Sequence, residues 1–348
     1  MNRKNLYQYL FHFLFLSILF SLTAWVILKD QDFNEIMNVL RSVPVSFIFL
    51  GFLIMIVVTL LEATITKHLF STIKINVSLW DCIAYTVIGY FFCYITPSAS
   101  GGQPMQLYYM KKKHIPIHKG SMVLMLISVQ HKLILVLVGL YLVTMDFGDF
   151  IHMFPEIRLY IYIGLAANIL SVTIFALFIF VPDTAIFLVR GIYGALTKIH
   201  LMKDKESRRK NMEELILNYR DTSTYLHDHK ASILITTLIS SIQRCGVFFV
   251  TYIVYRSFGL TEYGPFHITF YQSIVNLSSD LMPLPGAVGI HERVFFLLFR
   301  PVFGTSQLCL SGMLLSRGIT YYLMLVFCGV ITVIAHFIYT LPEKKAQK

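Results

Sequence analysis

The sequence predicts an all-α, polytopic integral membrane protein with about six full spans and two re-entrant hairpins made of broken helices. Three observations predict it. Of 348 residues, 56% are hydrophobic and only 14% are charged, whereas soluble domains carry roughly 25% charged residues. The apolar residues gather in stretches of about 20, the length a helix needs to cross a ~30 Å hydrocarbon layer. Lys and Arg concentrate in alternate loops, which marks one face of a membrane. No polar segment is long enough to build a separate core. The chain therefore reads as a single membrane domain, and soluble, secreted, fibrous and disordered classes are excluded.

The first candidate span, 8–28, follows Arg3 and Lys4. It is too long for the apolar part of a secretory signal and has no small-residue cleavage site after it, so it is expected to be retained. Full spans are then predicted at 44–66, 120–144, 159–181 and 231–257, with a long last segment at 306–340 that fits one tilted helix or two pieces. Two further apolar stretches, 79–96 and 266–282, run into Gly/Pro-rich sequence. Each is followed by a piece too short to cross alone, 104–110 and 290–300. If each broken stretch turns back to its side of entry, 20 Lys/Arg lie on one side and three on the other (Lys29, Arg41, Arg158). That bias places both termini, and a loop at 182–230, in the cytoplasm. The polar run 198–230 within that loop fits a solvated helix with one edge on anionic headgroups. The net charge of +10 comes largely from these inner loops and points to a lipid surface, not to nucleic acid.

The breaks are the segments 96–104, with Pro97, Ser98, Gly101, Gly102, Gln103 and Pro104, and 283–292, with Pro283, Pro285, Gly286, Gly289 and Glu292. Proline removes a backbone donor and glycine permits positive φ, so together they end a helix inside the membrane. Freed backbone groups are tolerated there only against protein or a wet cavity, and helix N-terminal amides attract anions. Pro97 is followed by Ser128, and Pro285 by Ser316, at one and the same spacing, and a basic residue comes after each serine, Lys132 and Arg317. The equal spacing points to a duplicated unit. In the predicted topology the two copies enter from opposite sides, the inverted-repeat arrangement that builds a midplane site.

Ionisable residues deep in apolar sequence cost roughly 2.5–3.5 kcal/mol on insertion scales and mark cavities or ion pairs. Here they are Glu62, Asp81, Lys132, Arg244, Asp280, Glu292 and Arg317. Arg244 and Arg317 are expected to clamp a phosphate, Lys132 to neutralise it, and Glu62 and Glu292 to balance the cations or accept an ammonium. The glycines Gly101, Gly102, Gly286 and Gly289 are expected to present amides to it. His131, beside Lys132, is kept as a polar lining residue. The five cysteines lie in apolar sequence without metal spacing and read as reduced. No nucleophile elbow, P-loop, dinucleotide fingerprint or metal motif is present, so neither soluble-type catalysis nor a cofactor is expected.

At the two breaks the sequence resembles a known family. Pro97-Ser98 with Gly101-Gly102-Gln103, then the basic cluster at Lys111, is similar to its first hallmark. Pro283-Leu284-Pro285-Gly286 with Gly289 and Glu292, then Arg317, Tyr321 and Tyr322, is similar to its second. The family is the flippase-like membrane domain of the lysylphosphatidylglycerol synthases (the multiple peptide resistance factors), and the resemblance runs over about 10–340. Gln103 stands where many members carry an acid, and Lys132 where Arg is expected. Full-length members join such a domain to a soluble aminoacyltransferase that moves lysine from lysyl-tRNA to phosphatidylglycerol. The resemblance therefore implies the lipid-handling half, in a bacterial plasma membrane, with a role in resistance to cationic antimicrobial peptides.

The function expected is translocation of an anionic or aminoacylated phospholipid, such as lysylphosphatidylglycerol, between leaflets. Two alternatives stay open: phosphatidylglycerol lysyltransferase activity, alone or in a split synthase, and transport of another phosphorylated lipid carrier. The implied partners are a phospholipid headgroup, the bilayer and a separately encoded aminoacyltransferase or glycosyltransferase.

Overall fold

A computed structural model describes residues 41–145, 154–181, 227–280 and 289–340, together with position 38, scattered positions between 183 and 225, and position 287. The predicted span 8–28, most of the 182–230 loop, and Pro283, Pro285 and Gly286 lie outside the described residues. Within them the chain is helical and contains no strand.

Helix α1 (Val45–Thr72) is a full span. Helix α2 (Leu79–Ile95) starts at Ser78, whose Oγ accepts the Asp81 amide, and ends at Thr96. After a 3-10 turn at Pro97–Ala99 comes the short α3 (Gly102–Lys112). Helices α4 (Ile117–Met145) and α5 (Arg158–Phe180) cross next, followed by α6 (Lys230–Ser257). Then α7 (Pro265–Ser279) and α8 (Ile290–Phe303) flank the second break. The last segment is α9 (Ser306–Arg317), a π-helical stretch (Gly318–Leu323) and α10 (Met324–Thr340). Among the described residues five segments are long and apolar enough to cross a membrane, and the last of them is continuous from Ser306 to Tyr339. The long tail is thus one rod with a π stretch inside it.

Both broken segments turn back. In the first, Gln106 Nε2 of α3 donates to the Tyr85 carbonyl of α2 at 3.1 Å. A Cβ on Gly102 would lie 2.3 Å from Cys93 Sγ and 2.9 Å from the Gly89 carbonyl oxygen, so only glycine lets the two arms close. In the second, Gln272 of α7 meets His291 of α8 at 3.5 Å, and the Tyr271 and Phe299 rings lie 6.0 Å apart. Helices α1 and α6 run antiparallel side by side, since the end of α1 meets the start of α6 through His68 and Ser232 at 3.2 Å. The first hairpin follows the end of α1 and the second follows the end of α6, so they enter from opposite sides. Each following span packs on the other hairpin: α4 on α7, and α10 on α2. This exchange is the packing of an inverted repeat.

The outer faces are apolar, with Leu170, Ile242, Val326 and Ile338 each at least 60% exposed. Polar residues are drawn inward, among them buried Glu62, Gln130, Gln243, Thr251, Gln272, His291 and Arg317. In lipid nothing is gained by hiding apolar surface from water, so helices associate through close packing and buried polar contacts. Gly164 of α5 is one such contact. A Cβ there would sit 2.1 Å from the Leu277 carbonyl oxygen of α7. Gly164→Ala is expected to lose about 1–3 kcal/mol through overpacking, outweighing at most about 1 kcal/mol of helix propensity. Thermal unfolding in detergent checks this against Gly264→Ala, whose new methyl would meet nothing within 4 Å.

Candidate functional site

The hairpin tips, the C-terminal half of α7 and the middles of α1, α4, α5, α6 and the last span line a partly open cavity of about 530 Å³, within the range of small-molecule pockets. Lys132 lies near the middle of α4 and Arg244 near the middle of α6. At about 1.5 Å per residue each is roughly 21–22 Å along a span of roughly 42 Å. The cavity thus lies at mid-depth.

Both tips carry unusual backbone. Ser98 and Ala99 at the first break and Ala287 at the second have φ of 51°, 53° and 53°, and all three line the cavity. Left-handed conformations in residues with a Cβ cost about 1–2 kcal/mol each and collect at functional sites. The end of α2 is stitched to the π stretch reciprocally. Tyr321 Oη donates to the Tyr94 carbonyl at 2.8 Å, and Tyr94 Oη donates to the Thr320 carbonyl at 3.3 Å. Each tyrosine thus satisfies a carbonyl that irregular backbone would otherwise leave unpaired in an apolar layer.

The three cations predicted from sequence all reach the cavity, but in different states. Lys132 Nζ lies 2.5 Å from Asp280 Oδ2, which ties the span after the first hairpin to the tip of the second. Arg317 pairs with Glu292 at 2.6 Å, their side chains only 9% and 8% exposed, and its guanidinium stands over the Tyr321 ring at 5.1 Å. Arg244 makes no ion pair or hydrogen bond among the described residues, and its buried Nε has no partner there. Glu62 lines the same cavity within electrostatic reach of Arg244, and it accepts from Tyr90 Oη and, at 3.1 Å, from Gln243 Nε2. His131 Nε2 is 3.8 Å from the same carboxylate.

Ser98 and Gln103 also line the cavity, and Gln103 Nε2 donates to Ser128 Oγ at 2.5 Å. Four expectations are corrected. Gly101 does not offer its amide, which donates to Thr96 Oγ1 at 2.9 Å. Gly289, at φ +94°, likewise gives its amide to Glu292 Oε2 at 2.5 Å. Gly102 serves the closure of the hairpin arms. Glu292 therefore caps α8 and neutralises Arg317 and is not open to an ammonium. Pro285 and Gly286 fall outside the described residues.

Residues not singled out from sequence complete the wall: Tyr90, Tyr94, Thr251, Gln272, Asn276 and His291. Thr251 Oγ1 bridges Gln272 Oε1 and Ser316 Oγ, both at 3.0 Å. A signal for them existed. Gln272, Asn276 and Asp280 recur every four residues in an apolar segment, as do Tyr90 and Tyr94, and such polar stripes face inward in a membrane bundle. Among the described residues no group of His, Cys, Asp and Glu could hold a metal ion.

Two oppositely inserted broken hairpins around a polar mid-depth cavity, within long apolar helices, define a multi-pass membrane protein with an internal polar site. A family model described as the lysylphosphatidylglycerol synthase TM region matches residues 13–328. The chain belongs to that family. No curated protein matches it.

Proposed function

We propose that this chain moves an anionic phospholipid, bare or aminoacylated, between the leaflets of a bacterial plasma membrane, with both termini in the cytoplasm. The observation that carries the reading is Arg244, a cation at mid-depth in a cavity where the other two cations already hold carboxylates. A guanidinium there suits a phosphate, which it can hold through two parallel hydrogen bonds. The headgroup sits in the polar cavity while its acyl chains remain among the apolar outer faces. The family's description, which names lysylphosphatidylglycerol, supports this choice of lipid class.

The test is a leaflet assay in vesicles holding the purified protein and a trace of fluorescent (NBD-labelled) phosphatidylglycerol, with dithionite bleaching the outer leaflet. Protein-containing vesicles are expected to lose the protected half of the signal at least tenfold faster than protein-free vesicles. Equal rates would remove the translocase reading. New lysylphosphatidylglycerol in cells expressing only this chain would favour the transferase alternative.

A further inference from the structure

The cavity holds a second cluster that phosphate recognition does not use. Glu62 is buried at 6% exposure and accepts hydrogen bonds from Tyr90 and Gln243. His131 Nε2, 3.8 Å from the Glu62 carboxylate, has no hydrogen-bond partner among the described residues. Every element packed around Glu62 contributes titratable or charged groups. These are Tyr90, Cys93 and Tyr94 from α2, His131 and Lys132 from α4, Arg244 from α6, and Arg317 and Tyr321 from the last span. Among them an acid, a phenol and an imidazole stand in sequence at mid-depth, a composition that serves proton exchange in membrane pumps.

We propose that the Glu62–His131 pair is a proton-binding site whose occupancy is coupled to that of the anionic headgroup, making lipid movement proton-driven. This rests on the translocase reading. Charge balance supports it. Lys132, Arg244 and Arg317 are offset by Glu62, Asp280 and Glu292 when Glu62 is ionised, and the site is then neutral. A proton on the pair leaves one uncompensated positive charge, that of Arg244, and an anion restores neutrality. The anion in turn favours proton uptake, because coupling between two ligands is reciprocal. The proton moves onto the Glu62 carboxylate or His131 Nε2 from water reaching the cavity and leaves on the other side with the lipid; no bond of the lipid is made or broken.

The experiment uses the full chain in vesicles with NBD-labelled phosphatidylglycerol and a pH step of one unit. At one proton per lipid the leaflet ratio is expected to shift toward the alkaline side, approaching about tenfold, and reversing the step reverses the shift. Glu62→Gln is expected to lose the response to the step. To keep the test independent of how that variant folds, wild-type protein in weakly buffered detergent is also given dioctanoyl-phosphatidylglycerol while a pH dye is read, with uptake of about one proton per lipid bound expected. Lipid that moves in wild-type vesicles without any response to the step, or lipid binding without proton uptake, overturns the proton site and leaves the translocase reading standing. A wild-type protein that neither moves nor binds the lipid removes both.

Discussion

Arg244→Ala is expected to slow transbilayer movement of phosphatidylglycerol by roughly 10–100-fold, while the folded protein in detergent stays within about 1 kcal/mol of wild type. Hydrogen bonds to charged groups contribute about 1.5–3 kcal/mol, which sets the range for the loss. The second half of the prediction follows from the side chain's surroundings. Arg244 has no ion pair among the described residues and a buried Nε without an acceptor, so truncation breaks no direct polar contact and removes part of a desolvation cost along with some packing. Arg244→Lys is expected to keep part of the rate, since lysine keeps the charge but loses the planar fork. The vesicle assay and thermal unfolding, run on the same preparations, check both halves. A variant that unfolds as readily as it loses rate would show that Arg244 holds helices together and leaves the lipid alone.

The largest stability effect is expected at the other arginine. Glu292→Ala removes the carboxylate that lies 2.6 Å from Arg317 and also accepts the Gly289 amide. Removing one partner of a buried pair costs about 3–5 kcal/mol, because an uncompensated charge remains. Glu292→Gln keeps an acceptor for the amide and is expected to lose clearly less. Replacing Glu292 and Arg317 together by apolar residues of similar volume is expected to recover most of the loss, since buried pairs are often no better than well-packed hydrophobes. Unfolding midpoints in detergent for the two single variants and the double variant separate the charge from the cap.

The span layout was legible because lipid imposes a length on apolar helices. The predicted 44–66, 120–144, 159–181, 231–257 and 306–340 all correspond to long helices. The turning back of the two short hairpins was legible from Pro and Gly at mid-depth and from the Lys/Arg bias. The pairing of charges was not. Lys132 finds Asp280 across 148 positions, and nothing local in either segment names the partner. The amides of Gly101 and Gly289 were misread because anion-binding helix starts and capped helix starts share the same glycines. Glu292, three residues after Gly289, has the capping-box spacing, which would have corrected the second of them. Nothing local in the sequence joins Tyr90 and Gln243 to Glu62; only the packing of α1 against α2 and α6 brings both to it.

The π stretch at Gly318–Leu323 has a mechanical consequence. Such a stretch holds a surplus residue relative to an α-helix of equal rise. Absorbing that surplus into regular α-turns would swivel the rod beyond it by about 100°. His336 and Tyr339, which clasp Tyr109 and Asp81 of the first hairpin, ride on that rod. Slack built into one helix thus links the charged middle of the bilayer to a latch near its edge.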